Sequence, residues 1–346
     1  MTRVRGLDAA RGLALVGMVV AHLDTRIDFD PGVVVSWRHV GDGRAAVLFV
    51  VVAGFSLALA SGGTTPHTGR RAADDRLAVF VRAAALAGIG AVLTALGTPV
   101  AVILASYALF FVLALPLLHQ RPAVLLSVGI TTAVLGPLLI GLLDREVPTL
   151  GMNPVGSLLV GFPYPALQWT GFLLVGLGLG RVRWRDADLL VMALAGLAAG
   201  ALLHRLMTRI RDDLLLEGRL DGVVVQAFVS EHRAENPLEA ASALAIAVGV
   251  LAGLILLTPR VGRLLHPLEA AGRMALTLYV AHVVAYWAAI RSDASLATGS
   301  GALAGWTLVV ALVFASLWFL RFNRGPLEGL LHRLVLAAQG SRTASR

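Results

Sequence analysis

Residues 7–23, LDAARGLALVGMVVAHL, form an apolar stretch long enough to cross a membrane. This stretch carries three ionisable side chains, those of Asp8, Arg11 and His22. Helical geometry places Arg11 and His22 about 16 Å apart along the axis and within roughly 20° of the same face. Asp8 lies three positions before Arg11, on the same side of the helix. Because ionisable groups inside membrane segments usually face a cavity or a site, we expect function along this stripe.

The composition indicates an integral membrane protein. The chain is 57% hydrophobic and 14% charged, whereas about 25% charged residues is usual in soluble domains. The net charge of +8 fits the basic loops that membrane topology requires, so we predict membrane lipids and no nucleic acid as partners. The absence of cysteine excludes disulfides, thiolate nucleophiles and cysteine-based metal sites. We expect no metal site.

The hydropathy pattern predicts an all-α, polytopic helix bundle with about ten transmembrane helices. Arginine is more frequent in the loops on the side of the amino terminus, which predicts that both termini are cytoplasmic. We interpret residues 1–346 as a single domain in the inner or plasma membrane. The predicted helices run near 7–24, 44–61, 77–96, 99–118, 123–143, 163–180, 187–206, 237–257, 271–290 and 302–321.

A second histidine lies in the long predicted outer loop, residues 24–43. An imidazole such as that of His39, at the mouth of a membrane protein, is suited to act as a general base. Asp42 can either orient a histidine or pair with Arg44, and the sequence leaves both interpretations open. His22 can be a packing histidine, and the Asp8/Arg11 pair can be a purely structural ion pair.

The ninth predicted helix repeats the pattern with Arg273, Tyr279 and His282. Tyr279 and His282 are three positions apart, so they share a face that can point into the bundle. Arg273 points nearly opposite His282 on this predicted helix. We therefore expect Arg273 to lie at the inner membrane surface.

Several segments resemble the transmembrane acyltransferase superfamily, in particular prokaryotic relatives of heparan-α-glucosaminide N-acetyltransferase. The spacing of Arg11 and His22 also fits the arginine-x10-histidine pattern of the acyltransferase-3 branch. The segments that carry the resemblance extend over most of the chain: 6–14 (GLDAARGLA), 37–44 (WRHVGDGR), 48–49 (LF), 54–56 (GFS), 272–282 (GRMALTLYVAH) and 324–328 (RGPLE).

The resemblance implies transfer of an acetyl or short acyl group across the membrane. Acetyl-CoA or another acyl-CoA would be the cytosolic co-substrate, and the acceptor would be an amine or hydroxyl of an extracytoplasmic glycan, glycolipid or other lipid-linked molecule. The catalytic histidine matches His39 in the heparan-acetylating branch, where an essential asparagine falls at His22. In the acyltransferase-3 branch the catalytic histidine matches His22 itself. We favour His39 as the base, with His22 polarising the thioester carbonyl or holding the donor.

The remaining candidate residues receive roles around this chemistry. We expect Arg11, oriented by Asp8, to bind a CoA phosphate, since guanidinium suits phosphate. Arg273 is the third candidate for donor binding. The supporting candidates are Asp42, Arg44, Tyr279 and His282.

Two other classes of function stay open at this point. A small-molecule or lipid transporter or flippase would use the same intramembrane charges to bind substrate or protons. A structural or assembly protein would keep these groups buried and mutually paired. A homodimer is an open alternative for the assembly state.

Overall fold

The computed structural model describes residues 3–24, 41, 43–216 and 236–344, and these residues form a bundle of α-helices without strands. The predicted all-α class is confirmed for this part of the chain. Three short 3-10 helices lie in the connections: Leu115–Leu117, Pro148–Met152 and Ala294–Thr298. The α-helices are α1 (Arg5–Leu23), α2 (Arg44–Ala60), α3 (Gly69–Ala95), α4 (Leu104–Ala114), α5 (Pro122–Glu146), α6 (Pro154–Val160), α7 (Ala166–Leu179), α8 (Asp186–Leu216), α9 (Pro237–Arg273), α10 (Ala275–Ser292), α11 (Gly301–Arg321) and α12 (Pro326–Ala344).

Within the described ranges, six helices are long and apolar enough to cross a membrane: α1, α3, α5, α8, α9 and α11. Three further apolar helices are shorter, namely α2, α7 and the segment that begins with α4. Each of the ten predicted spans overlaps a helix, but ten crossings and cytoplasmic termini stay predictions. By the length and composition of these helices, the chain is a helical membrane protein.

Helix α1 lies in the centre of the bundle. Its most apolar window is 67% buried inside the protein, compared with 17% for α8 and 11% for α11. It packs against α2, α9, α10 and α11. The polar stripe of α1 therefore faces other helices, while α8 and α11 present mainly apolar side chains to the outside of the bundle.

Two glycines allow α1 and α9 to approach closely. A Cβ atom on Gly12 would lie 2.0 Å from the Leu268 carbonyl oxygen, and one on Gly272 would lie 1.8 Å from the Asp8 carbonyl oxygen. Both distances are too short for any side chain, so the two backbones meet here without one. This approach brings the carbonyl of Gly272 beside the charged groups of α1.

Arg273 and His282 lie on two different helices, α9 and α10. Val261 has non-helical angles (φ −121°, ψ 22°) two residues after Pro259, so α9 is kinked there. The backbone leaves the helix again at Met274 (φ −126°, ψ 36°), and α10 begins at Ala275. The expectation of one continuous helix over 271–290 was therefore wrong at its start. The predicted opposite orientation of Arg273 and His282 assumed that both lie on one helix, so that argument does not apply.

Glu328, in the segment 324–328, binds the first turn of α10. Glu328 accepts hydrogen bonds from the Thr277 backbone N–H (3.1 Å) and from the Thr277 hydroxyl (2.7 Å). The first turn of a helix leaves backbone N–H groups without intrahelical partners, and a carboxylate there also meets the positive end of the helix dipole. Glu328 thereby anchors α12 to α10, the helix that carries Tyr279 and His282.

Candidate functional site

The charged stripe of α1 is anchored at its amino-terminal end. The Asp8 carboxylate accepts from the side chains of Arg3 (2.5 Å) and Arg11 (3.3 Å). Arg11 also donates to the Ser56 hydroxyl (2.6 Å) and to the Gly272 carbonyl (3.2 Å). The predicted pairing of Asp8 with Arg11 is present. The bonds fix the Arg11 side chain at a junction of α1, α2 and α9.

A cavity of about 380 Å³, called here the arginine cavity, opens beside this junction. Its wall includes three guanidinium groups and one carboxylate, which give it a basic character: Arg11, Arg82, Arg273 and Glu328. Tyr107 and Tyr279 also line it. A basic cavity of this size suits an anionic organic ligand.

A second cavity, of about 300 Å³, lies at the opposite ends of α1 and α2 and is called here the aromatic cavity. Four aromatic rings contribute to its wall, and the polar groups that line it include His22, Arg44 and Glu239. The four rings are Phe162, Tyr164, Trp169 and Phe172. Such a mixture of ring faces with a few polar groups is typical of a small-molecule site.

Three side chains separate the two cavities. His22 lines the aromatic cavity, and Tyr279 lines the arginine cavity. The ring centroids of His22 and Tyr279 are 6.3 Å apart. His282 stacks on His22 with a centroid separation of 5.3 Å and contacts Tyr279 edge-on at 5.0 Å. A group that approaches from the aromatic cavity therefore meets His22 first, and a group that approaches from the arginine cavity meets Tyr279 first.

The hydrogen bonds of the two histidines define their tautomers. His282 Nδ1 lies 3.3 Å from the Leu278 carbonyl, which can only accept, so Nδ1 carries the proton. In a neutral ring His282 Nε2 is then an acceptor, and it lies 3.0 Å from His22 Nδ1. His22 Nδ1 therefore donates, which leaves Nε2 of His22 with a free lone pair. That nitrogen is suited to accept a proton from a ligand.

Two residues of the aromatic cavity region were missed by the sequence reasoning. Glu239 on α9 accepts from Arg44 (3.3 Å), and its other oxygen lies 2.8 Å from His204 Nδ1 on α8. Arg44 and Glu239 are both buried. The available signal was local, because Glu239 and His204 are ionisable residues within membrane helices. Their partners are distant in sequence.

The structure brings several predicted residues together and leaves others undescribed. Arg44 pairs with Glu239, and Asp42, the predicted alternative partner, lies outside the described residues. His39 also lies outside them, so its role stays a prediction. Arg273 lies in the arginine cavity wall, with its Cζ atom 3.5 Å from the centroid of the Phe319 ring.

Comparison with known protein families shows which family the chain belongs to. Residues 3–215 match the family described as heparan-alpha-glucosaminide N-acetyltransferase, catalytic. The chain belongs to this family. Residues 178–338 match a second family, described as protein of unknown function (DUF418). No curated protein and no solved structure matches the chain.

Membership in the heparan-alpha-glucosaminide N-acetyltransferase family indicates a membrane protein with acetyltransferase-like activity. Acetyl-CoA is the donor in this family in general. In the part of the chain that the structure describes, no group of three or more His, Asp or Glu side chains could hold a metal ion. The two matched regions overlap at residues 178–215, and each cavity is lined by residues of both regions.

Proposed function

We propose that this protein transfers an acetyl or short acyl group from cytosolic acyl-CoA to an extracytoplasmic acceptor. The observation that carries this proposal is the pair of cavities towards opposite ends of α1, which are separated by the side chains of His22, Tyr279 and His282. The arginine cavity takes the thioester donor. The aromatic cavity takes an amine or hydroxyl of a glycan, glycolipid or other lipid-linked molecule.

The charges of the arginine cavity favour the donor end of the reaction. Arg11 and Arg273 offer guanidinium groups to the phosphates of CoA, and Asp8 orients Arg11. Arg11 and His22 share a face of α1 and lie about 16 Å apart along its axis. The acyl arm of the donor then extends from the phosphates towards the histidines.

The acceptor end has features that suit a sugar. The rings around the aromatic cavity offer flat apolar faces, and Arg44 and Glu239 offer a charged donor and an acceptor of hydrogen bonds. Family membership supports a glycan over other acceptors. We place this face of the protein outside the cytoplasm, in agreement with the arginine distribution of the loops.

The sequence favours His39 as the base, but the free lone pair of His22 supports a general-base step at His22, and we assign the step to His22 here. His22 Nε2 takes the proton of the acceptor N–H or O–H while the acceptor atom attacks the thioester carbonyl carbon. The tetrahedral intermediate collapses with cleavage of the C–S bond, and the departing thiolate takes the proton from His22. A positioned base contributes about 10²–10⁴-fold to the rate. A thiol with a pKa near 8.5 is a good leaving group.

The experiment is thiol release by the purified protein in lipid nanodiscs. Acetyl-CoA is supplied with amino sugars, neutral sugars or lipid-linked glycans, and free CoA is measured with a thiol reagent. The chain contains no cysteine, so the signal comes from CoA alone. The proposal predicts acceptor-dependent release. Tight CoA binding without release for any acceptor in the panel would contradict it and would favour a transporter.

Variants of the two histidines identify the base. His22→Asn keeps a hydrogen-bonding group but removes the base, so it should lower turnover by two orders of magnitude or more. His39→Asn should then keep substantial activity. The reverse result would make His39 the base and leave His22 to polarise the carbonyl. His266→Asn, at an exposed position of α9, is the control and should behave as wild type.

A further inference from the structure

A smaller cavity of about 180 Å³, called here the narrow cavity, continues from the arginine cavity. Leu57, Ala60 and Arg82 line both cavities. On α3 the order of lining residues shows how the two are joined. Asp75 lines only the narrow cavity, Arg82 lines both, and Leu86 lines only the arginine cavity. Arg82 therefore lies where the two spaces join.

The opposite wall of the narrow cavity is the carboxy-terminal helix. His332, Leu336 and Gln339 of α12 line it, and the Gln339 amide donates to the Asp74 carbonyl at the start of α3 (3.2 Å). The family match to residues 3–215 does not reach α12. The narrow cavity thus lies between a helix of the acetyltransferase match and a helix outside it.

The bonding of Arg82 differs from that of Arg11. Arg11 donates to Asp8, Ser56 and Gly272. Arg82, although half-buried, makes no hydrogen bond or ion pair with the described residues. A guanidinium group in a partly enclosed cavity, without a hydrogen bond or salt bridge to the protein, is suited to an anion that enters the cavity.

Asp75, the carboxylate in the wall of the narrow cavity, interacts with Arg82 through its charge but forms no hydrogen bond with it. The Asp75 Oδ2 atom lies 2.9 Å from His67 Nδ1 and 2.9 Å from His119 Nε2. The Asp75 carboxylate is therefore engaged by two imidazoles from neighbouring connections. His332 faces the same space and adds a hydrogen-bonding group.

We infer that Arg82 binds the 3′-phosphate at the nucleotide end of the CoA donor, with the nucleoside in the narrow cavity between α3 and α12. This inference rests on the proposed function, because it assigns the far end of the same donor. With the acyl group at the histidines and the diphosphate near Arg11, the nucleoside has to continue beyond Arg11, and the narrow cavity is the space that joins there. Arg82 then distinguishes CoA from donors without this phosphate.

The test compares acetyl-CoA with acetyl-dephospho-CoA, which lacks only the 3′-phosphate. Arg82→Gln should raise KM for acetyl-CoA about 10–150-fold, the range for loss of a charge-assisted hydrogen bond. KM for acetyl-dephospho-CoA and kcat with either donor should stay at wild-type values. Arg76→Gln, at an exposed position of the same helix, is the matched control and should leave KM for both donors unchanged.

The dephospho donor separates a binding role from a structural role. An equal rise of KM for acetyl-CoA and for acetyl-dephospho-CoA in Arg82→Gln would overturn the inference. An unchanged KM for acetyl-CoA in this variant would overturn it as well. If the wild-type protein shows no turnover with any acceptor, the proposed function fails, and the inference is tested by equilibrium binding of CoA and dephospho-CoA instead. Equal affinity of the wild-type protein for these two compounds, or no binding of either, would also overturn it.

Discussion

Replacement of His282 by phenylalanine tests whether the two histidines act as a unit. Phenylalanine keeps a ring beside His22 and Tyr279, so the packing of the junction is largely retained. It removes the Nε2 acceptor that lies 3.0 Å from His22 Nδ1. His22 is then free to carry its proton on either nitrogen, and the tautomer with a free lone pair at Nε2 loses its support.

The magnitude follows from the single lost bond. A buried N–H group without its acceptor costs about 1–3 kcal/mol, which corresponds to roughly 5–150-fold in rate if the active tautomer bears the whole cost. His282→Gln places a carbonyl oxygen within similar reach and should restore part of the rate. Because His282 lines neither cavity, KM for acetyl-CoA should stay constant.

The assay is steady-state thiol release, with kcat and KM measured separately for each variant. Tyr286→Phe is the matched control. Tyr286 lies one turn further along α10, is equally buried and bonds to the Leu296 and Ala297 carbonyls, without contact to His22. A wild-type kcat in His282→Phe, or an equal fall in Tyr286→Phe, would refute the positioning role of His282.

Three further predictions concern donor binding and stability. Arg11→Ala should weaken acetyl-CoA binding about 10–150-fold, and Arg11→Lys should restore only part of it, as measured by calorimetry; unchanged affinity in both would make this arginine structural. Arg181→Leu removes the donor for four backbone carbonyls and should lower the melting temperature well below that of the exposed Arg183→Leu variant. Gly272→Ala forces α1 and α9 apart and should also lower the melting temperature, while Gly88→Ala, in open space, should not.

Local features of the structure could be predicted from the sequence. The positions of the apolar helices follow from hydropathy, and the pairing of Asp8 with Arg11 follows from helix periodicity, because both depend only on neighbouring residues. His22, Tyr279 and His282 were also identified as candidates from their place in membrane segments. None of these inferences requires knowledge of which helices are neighbours.

The contacts between distant segments could not be predicted. Arg44 and Glu239 are 195 residues apart, and His22 and His282 are 260 residues apart. Nothing local to either residue specifies its partner, so Asp42 was considered for Arg44 and Glu239 was missed. The break at Met274 was missed for a similar reason: the apolar pattern continues through it, and the close contact with α1 at Gly272 lies outside any local window.

The described part of the site is distributed over both matched regions. His22 from the first region bonds to His282 from the second, Arg11 bonds to Gly272, and the buried Arg44 is neutralised by Glu239. Loss of one partner of a buried ion pair typically costs about 3–5 kcal/mol, since the other charge stays unpaired. A fragment that ends at residue 215 would lack all three partners. We therefore expect such a fragment to be less stable than the full chain and to show no acyl transfer, although it contains the whole acetyltransferase match.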